Sequence, residues 1–234
     1  MEATFNDLAS HCIELLERAS ADQRVLIAVS GIPGSGKTTL GNAVYQRVNN
    51  LWNDRSGSTR IAAFVPMDGF HLTRKTLASM PNAEEAIARR GAPFTFDPNG
   101  LLQLVESLRR PLGGESKSLF APSFDHAVKD PVEDDIEILP TDRIIIMEGN
   151  YLHLQDEPWH QIAALMDELW FVRVEREIAR QRIIHRHIEA GIAKDECEAA
   201  KRADENDLVN GDYIIQNSLT PHRIIISIQD KLLI

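Results

Sequence analysis

The sequence has few cysteines and lacks long apolar runs. Cys12 and Cys197 are the only cysteines among 234 residues, and they form neither a metal-binding cluster nor a disulfide framework, which is typical of a reducing compartment. No apolar run approaches the roughly 20 residues of a membrane span. The first residues lack the basic start and apolar core of an export signal. We therefore expect a cytoplasmic protein that does not cross a membrane.

The sequence also lacks an excess of basic residues. Its formal net charge is -10, which argues against a nucleic-acid partner because a phosphate backbone requires a basic protein face. The length fits one α/β domain with or without an inserted lobe, and no repeat or low-complexity segment divides the chain. We expect a single domain over residues 1–234, and a homodimer stays one open option for its assembly.

A glycine-rich octet is the most informative segment. Residues 31–38 read Gly-Ile-Pro-Gly-Ser-Gly-Lys-Thr, the pattern of a phosphate-binding loop. The apolar run Arg24–Ser30 before it predicts a buried strand, and a helical pattern follows it. Glycine N–H groups and the helix N-terminus then bind a triphosphate, Lys37 projects into an open site towards the β- and γ-phosphates, and Thr38 ligates Mg²⁺. The alternative is an ordinary Gly/Ser turn, which does not require a strand before it and a helix after it. The loop residues predicted to bind a nucleoside triphosphate are Gly31, Ile32, Pro33, Gly34, Ser35, Gly36, Lys37, Thr38 and Thr39.

Strand and helix patterns alternate along the chain. The predicted strands are Arg24–Ser30, Arg60–Met67, Arg143–Met147, Glu168–Val174 and His222–Ile228. Each is almost continuously apolar, as parallel strands are when helices cover both faces of the sheet. An amphipathic helix over residues 5–19 precedes the first strand. The predicted fold class is α/β, with a doubly wound parallel sheet.

Residues 74–142 form a predicted insertion between the second and third strands. This segment contains a helical pattern at Ala83–Arg90 and a second helix start at Asp97, followed by Pro98. Residues 111–142 are rich in Gly, Pro, Ser and acidic residues, which favours a solvated hairpin or loop over a functional tail. Ligands of open α/β sheets bind at the carboxyl ends of the strands, so we expect a lobe on the substrate side.

Two acidic residues follow strands. Asp68 ends the second strand in Met67-Asp-Gly-Phe-His71, where a carboxylate can orient an incoming hydroxyl and accept its proton. The Asp68-Gly69 pair is equally typical of a turn, and the residues alone leave both interpretations open. Glu148 ends the third strand, where a P-loop protein needs a carboxylate to hold Mg²⁺, usually through water.

Five segments together resemble a known family. They are the phosphate loop, Met67–His71, Arg89–Asp97, Met147–Tyr151 and Arg182–Asn210. The chain resembles the small-molecule P-loop kinases grouped with uridine kinase, phosphoribulokinase and bacterial-type pantothenate kinase, above all fungal uridine kinase-like proteins and bacterial kinases associated with fructose transport. The resemblance implies a five-stranded parallel sheet of order 2-3-1-4-5, with ATP and Mg²⁺ as cofactors. It also favours Asp68 as the catalytic base and Glu148 as the magnesium-side acid.

The segment Glu175–Ala190 predicts a helix with Ile178, Ile184 and Ile188 on its buried side. In the family such a helix leads into a lid, here residues 176–210, whose arginines contact ATP phosphates. The resemblance favours Arg186 for this role, with Arg182 second, since a guanidinium neutralises phosphoryl charge through paired donors. A charged surface helix explains Arg176 and Arg180. Three polar residues recur in the sugar-kinase-like relatives, and helix surface accounts for them equally well: Asn206, Asp207 and Asn210.

We expect the acceptor to be a small molecule with a hydroxyl group. The residues predicted to contact it are Asp68, Phe70, His71, Arg90, His126 and Tyr151. True uridine kinases carry Asp-Asp-Phe-Tyr after the second strand, where this chain has Asp-Gly-Phe-His. Phe124 stands where the pantothenate kinase pattern has a tyrosine, so a hydroxyl contact is lost. A nucleoside, a sugar, a polyol and a pantothenate-like alcohol therefore all stay open.

Two other protein classes use a phosphate loop. A GTPase needs an Asn-Lys-x-Asp guanine-binding motif, and the sequence contains none. A nucleotide-gated binding or assembly NTPase would keep the loop without transferring a phosphoryl group. Such a protein does not need an acceptor-side base, so Asp68 and Arg186 favour a kinase.

Overall fold

A parallel sheet forms the centre of the structure, a computed structural model that describes residues 2–57 and 60–227. The strands are β1 (Val25–Ser30), β2 (Ala62–Pro66), β3 (Leu119–Asp125), β4 (Asp130–Ile138), β5 (Ile144–Glu148), β6 (Glu168–Arg173) and β7 (Arg223–Ile226). The helices are α1 (Glu2–Arg18), α2 (Lys37–Ser56), α3 (Arg74–Ala78), α4 (Ala83–Ala88), α5 (Pro98–Leu108), α6 (Trp159–Ala164), α7 (Arg176–Glu189), α8 (Glu196–Arg202) and α9 (Leu208–Asn217). The predicted fifth strand is confirmed as far as Ile226, and its last residue, Ile228, lies outside the described residues.

The five strands of the sheet run in the order β2-β5-β1-β6-β7 and pair in parallel. The remaining strands, β3 and β4, form a separate antiparallel pair inside the inserted lobe. The labels therefore differ from the expected 2-3-1-4-5, which numbers only the strands of the parallel sheet. Counted in that way, β5, β6 and β7 are the third, fourth and fifth strands, and the two orders coincide.

Helices cover both faces of the sheet. On β1, Leu26 and Ala28 contribute to a core cluster shared with α5, α6 and α9. Ile27 and Val29 contribute to a second cluster shared with α1 and α2, because successive side chains of a strand point to opposite faces. Every residue of β1 is buried, as the continuous apolar run predicts. No helix in the described ranges is long and apolar enough to span a membrane.

The inserted lobe contains α3, α4, α5 and the β3–β4 hairpin. Asp97 caps α5 by accepting a hydrogen bond of 3.0 Å from the Gly100 N–H, and Pro98 takes the first helical position. The predicted start of this helix is confirmed. The helix predicted over Ala83–Arg90 ends two residues earlier, at Ala88. The acid-rich segment forms the solvated hairpin that its composition predicts.

The buried face of α7 differs from the prediction. Its buried residues are Ala179, Ile183, Ile184 and His187. Ile184 was predicted correctly, whereas Ile188 is 43% exposed and Ile178 is only partly buried. The face is rotated because α7 packs on two partners at once, the glycine-rich loop at one end and α8 at the other. The contact with α8 cannot be predicted from the apolar pattern of α7 alone.

Candidate active site

The glycine-rich loop connects β1 to α2 at the centre of the sheet. Gly34 and Gly36 have φ angles of 77° and 87°, which L-residues with a side chain rarely adopt. A Cβ at Gly34 would also lie 2.6 Å from the Ala179 carbonyl oxygen. The loop delivers the chain to α2, whose N-terminus begins at Lys37. This arrangement directs backbone N–H groups and a helix dipole at one point, as a phosphate site requires.

Two helices hold the loop in this shape. Arg182 of α7 donates hydrogen bonds of 3.1 Å to the Gly34 carbonyl and 2.9 Å to the Ser227 hydroxyl. On the other side, a Cβ at Gly211 of α9 would lie 3.3 Å from Ile32 Cβ, so the helix backbone packs directly on the loop. Arg182 thus braces the loop through its carbonyls, and its contact with ATP phosphates stays a prediction.

Lys37 and Glu148 form the charged centre of the site. The Lys37 Nζ lies 3.9 Å from Glu148 Oε1, and parallel pairing places Glu148 beside Val29 at the end of β1. Burial lowers the pKa of Lys37 and raises the pKa of Glu148, and each charge opposes the shift of the other. The expectation that Lys37 projects into an open site is wrong, because only 9% of the residue is exposed and it lies against this carboxylate.

Thr38 and Glu148 fit a magnesium site. The Thr38 hydroxyl, at the start of α2, interacts with the Glu148 carboxylate and opposes the rise of its pKa, so two oxygen ligands lie near each other. Mg²⁺ prefers oxygen ligands and commonly binds through one or two protein groups, with water and substrate phosphates completing its shell. Over residues 2–57 and 60–227, no group of three or more His, Cys, Asp or Glu side chains is arranged to bind a metal. These two residues therefore suit an ion that reaches the site together with a nucleotide.

Asp68 follows β2 two residues after Pro66, which pairs with Glu148 on the neighbouring strand β5. It belongs to the 3-10 helix Met67–Phe70 directly after β2, and its side chain is 51% exposed. Its charge acts on both Lys37 and Glu148. A Cβ at Gly69 would overlap the Pro122 carbonyl, so the β3–β4 hairpin lies on the backbone of this turn. The turn, one of the two alternatives that the residues alone left open, is present, and the role of Asp68 as a catalytic base stays a prediction.

Aromatic rings line the lobe side of Asp68. The His71 ring lies 4.0 Å from Phe96 and 4.9 Å from Phe124, measured between ring centroids. His126, exposed at the hairpin tip, lies 5.3 Å from Phe124. His71 Nδ1 donates a hydrogen bond of 2.8 Å to the Asp68 carbonyl, and burial lowers the pKa of this histidine. The structure therefore brings His71 and His126 together around Phe124.

The other residues predicted to contact the acceptor, Phe70, Arg90 and Tyr151, are more buried than Asp68. Arg90 donates hydrogen bonds to the Leu72 carbonyl and to Asp130, which fixes the lobe loop to the hairpin. Phe70 is buried in the core. The Tyr151 hydroxyl donates to the Gly91 carbonyl, and burial raises the pKa of this tyrosine. Roles of these side chains in substrate binding stay predictions, and their visible contacts are structural.

The sequence alone does not decide whether Asn206, Asp207 and Asn210 belong to a site or to a helix surface. Asn210 is only 4% exposed and accepts a hydrogen bond of 2.9 Å from Arg89, and Asn206 donates one of 3.3 Å to the Arg90 carbonyl. Asp207 lies next to them and faces α7. Helix surface, the alternative left open for these residues, is therefore wrong for both asparagines. Their recurrence in relatives was the one available signal.

Arg186 is exposed on α7, and its charge acts on Lys37, Glu148 and Asp207. Other arginines of α7 behave differently. Arg176 pairs with Asp212 at 3.1 Å and Arg180 pairs with Asp204 at 2.7 Å, and all four residues belong to the outer surface. Of the predicted phosphate-binding arginines, Arg186 thus acts by its charge on the Lys37–Glu148 pair, and Arg182 donates a hydrogen bond to the Gly34 carbonyl of the loop.

A phosphate loop after the central strand, a buried lysine beside a strand-end carboxylate and an inserted lobe are features of the P-loop kinases. The profile of the phosphoribulokinase / uridine kinase family matches residues 26–225, and the chain belongs to this family.

Relatives agree with this assignment. A Schizosaccharomyces pombe protein named "Putative uridine kinase C227.14" is 42% identical over 219 residues, covering 94% of this chain and 88% of that protein. The "ATP-dependent kinase-like protein notR'" of Aspergillus versicolor is 54% identical over 153 residues, covering 65% of this chain and 89% of that protein. The family thus defines the chain as an ATP-dependent kinase.

Solved structures show the same fold. A "putative fructose transport system kinase" from Silicibacter sp. TM1040 superposes with a TM-score of 0.77 and 32% identity, covering 93% of this chain and 98% of that chain. YFH7 of Saccharomyces cerevisiae superposes with a TM-score of 0.84, covering 97% of this chain and 99% of that chain. Its identity is 23%, and this likeness shows the fold alone.

Proposed function

We propose that the protein transfers the γ-phosphoryl group of ATP to a hydroxyl group of a small molecule. The observation that carries this proposal is the position of Asp68, a half-exposed carboxylate that follows β2 two residues after Pro66, the register partner of Glu148. Its charge acts on both members of the buried Lys37–Glu148 pair. Phosphoryl transfer needs an incoming hydroxyl held in line with the leaving oxygen, and a carboxylate at this position can hold it.

Each charged group of the site has a distinct task in this proposal. The loop N–H groups and Lys37 bind the β- and γ-phosphates, and Asp68 orients the hydroxyl and accepts its proton as the new bond forms. Thr38 and Glu148 would hold Mg²⁺, which neutralises phosphate charge when bound. Arg186 adds a forked donor for charge that spreads over the transferring group.

The acceptor contacts the aromatic cluster in this proposal. His71, Phe124 and His126 lie between Asp68 and the hairpin tip, so an acceptor whose hydroxyl reaches Asp68 would contact them. The relatives are named for uridine and for fructose transport, which supports testing nucleosides and sugars first. Polyols and pantothenate-like alcohols complete the set. Location in the cytoplasm and assembly as a homodimer stay predictions.

A thermal-shift screen of nucleosides, sugars, polyols and pantothenate, with Mg²⁺ and a non-hydrolysable ATP analogue present, tests the proposal. Each hit is then assayed for ADP formation and for the phosphorylated product. A product that depends on Asp68 is the expected result. If the rate of ATP turnover stays the same with every small acceptor but changes with a protein partner, the proposal is contradicted and a nucleotide-gated assembly NTPase is favoured.

A further inference from the structure

His71 is held by the inserted lobe. Next to it along the chain, the Phe70 carbonyl accepts a hydrogen bond of 2.7 Å from the Asp97 N–H. The His71 ring packs against Phe96 and Phe124 at the centroid distances given above, and only 13% of the side chain is exposed. Packing and hydrogen bonds of the protein itself therefore set the orientation of this imidazole.

The two ring nitrogens of His71 have different surroundings. Nδ1 lies 2.8 Å from the Asp68 carbonyl oxygen, and because a carbonyl only accepts, Nδ1 carries the proton of this hydrogen bond. Burial lowers the pKa of His71 and favours the neutral ring, although the Asp68 carboxylate opposes this shift. In the neutral ring, Nε2 is a hydrogen-bond acceptor. Within residues 2–57 and 60–227, Nε2 has no hydrogen-bond partner and does not belong to the buried unpaired atoms, so solvent reaches it.

The same histidine holds the turn that carries Asp68. The Asp68 carbonyl accepts a second hydrogen bond, of 3.1 Å, from the His71 backbone N–H. The Asp68 carboxylate oxygen Oδ1 lies 3.9 Å from Nδ1 of the ring, and this side chain is half exposed. The site thus offers two hydrogen-bond acceptors near each other, a carboxylate and a ring nitrogen. Two neighbouring hydroxyl groups match them, because each hydroxyl has one proton to donate.

A cation beside this aromatic cluster is already paired. The Arg90 guanidinium lies over the Phe124 ring, 5.6 Å from its centroid, and 2.9 Å from an Asp130 oxygen. Because the Asp130 carboxylate offsets its charge, Arg90 does not require an anionic acceptor. The Phe124 ring itself is an apolar surface on which a carbon skeleton can pack.

We propose that the acceptor is an uncharged polyhydroxylated molecule, a sugar or a polyol, and that His71 selects it by accepting a hydrogen bond from the hydroxyl next to the one that Asp68 holds. A nucleoside fits less well, because the carbon next to its 5′-hydroxyl bears the ring oxygen and no hydroxyl. A simple hydroxy acid fits less well too, since a carboxylate at neutral pH has no proton to donate to Nε2. The inference rests on the proposed function, because it names the substrate class of the same site.

The first test uses the unmodified chain with Mg·ATP. Sugars, polyols, nucleosides and hydroxy acids are assayed for ADP formation, and the phosphorylated position of each product is determined. We expect the best acceptor to be a sugar or a polyol. Its deoxy analogue, which lacks the hydroxyl next to the phosphorylated one, should have a kcat/KM about tenfold lower, the order of one hydrogen bond between uncharged groups. A best acceptor with a carboxylate or without a neighbouring hydroxyl, or equal use of the deoxy analogue, overturns the inference.

Two substitutions separate the two nitrogens of His71. The amide of Asn can take the place of Nδ1 and still donate to the Asp68 carbonyl, whereas the longer Gln reaches the place of Nε2. For His71→Asn we expect the KM of the hydroxylated acceptor to rise about tenfold, and the deoxy analogue to be used nearly as well. For His71→Gln we expect kcat to fall more than KM rises, because the turn of Asp68 loses its side-chain donor. His160→Asn, which removes an exposed histidine near Glu157, should change neither constant.

The neighbouring hydroxyl does not bind His71 if His71→Asn discriminates against the deoxy analogue as strongly as the unmodified chain does, and this result overturns the inference. Thermal midpoints show whether each variant is folded. Should His71→Asn fail to fold, the comparison of the two acceptors in the unmodified chain still decides. The absence of a phosphorylated product from every class overturns the proposed function, which is a separate result. Calorimetry of the sugars, the polyols and their deoxy analogues with a non-hydrolysable ATP analogue then tests the inference, and equal or absent binding overturns it.

Discussion

The Lys37 ammonium and the Glu148 carboxylate lie 3.9 Å apart with both side chains buried. Their charges are mutually dependent, because burial disfavours each charged form and the partner favours it. The pair therefore serves stability as well as nucleotide binding. Removing one member leaves the other as an unpaired buried charge.

Lys37→Ala should abolish transfer, since the loop then loses its cation over the β- and γ-phosphates. It should also lower the free energy of unfolding by about 3 kcal/mol, the usual order for breaking a buried pair from one side. Urea unfolding without nucleotide measures this loss. Adding Glu148→Gln should recover part of the stability without restoring transfer. Equal stability of the single and double variants would show that the pair carries no such penalty.

Asp68→Asn keeps the shape of the side chain but cannot accept a proton. We expect kcat with the true acceptor to fall by roughly 10² to 10⁴. Affinity for the ATP analogue, measured by calorimetry, should change little because Asp68 is half exposed on the lobe side. Asp212→Asn, which removes a surface carboxylate paired with Arg176, is the control. Normal turnover in Asp68→Asn would leave Asp68 as a turn residue only.

Arg186→Lys keeps one positive charge but loses the forked donor. We expect kcat to fall clearly while the thermal midpoint stays near that of the parent, because the side chain is exposed and belongs to no core cluster among the described residues. Arg176→Ala, which breaks an exposed pair with Asp212, should change neither quantity noticeably. A stability loss with intact kcat for Arg186→Lys would assign this arginine to the fold.

His153 should make the fold sensitive to acid. It is fully buried, its Nε2 donates to the Ala28 carbonyl at 3.2 Å, and burial lowers its pKa from 6.5 to about 4. Between these two values the unfolded chain binds a proton that the folded chain does not, so stability is lost as the pH falls.

The size of this effect follows from the shift. Between about pH 7 and about pH 5, His153 should cost about 2 kcal/mol of unfolding free energy. His153→Gln can still donate to Ala28 but does not titrate, so its urea unfolding should depend less on pH than that of the parent. If the free energy of unfolding depends on pH in the same way in both proteins, His153 is not the cause of the acid sensitivity.

Much of the fold follows from local patterns. The phosphate loop, the buried strands and the cap of α5 by Asp97 depend on residues close in sequence, and the structure confirms them. Glu148 could be placed because parallel strands end at the same edge of a sheet. The expected strand order came from the family resemblance, since the five apolar runs do not specify which strands are neighbours.

The contacts that the sequence did not reveal join distant segments. The Tyr151 hydroxyl binds the Gly91 carbonyl, and Asn210 binds Arg89, across 60 and 121 positions of sequence. The π-helical segment Ala203–Asp207 could not be predicted for a second reason. A π-helix shifts the helical register, so the regular repeat of an α-helix does not give the residues after Arg202 that face inward. Lys37 was misjudged for a similar reason. Lys37 is buried because residues from other segments, such as Glu148 at the end of β5, pack around the loop, and the loop motif alone does not include them.

The contact between Gly69 and the Pro122 carbonyl also constrains how such an enzyme can change its substrate. The hairpin rests directly on the turn that carries Asp68, so any insertion that lifts its backbone would displace the carboxylate as well. Substitutions at the hairpin tip, around the exposed His126, leave that backbone contact in place. New acceptor preferences in this scaffold should therefore evolve by exchange of side chains on a conserved hairpin backbone rather than by replacement of the hairpin.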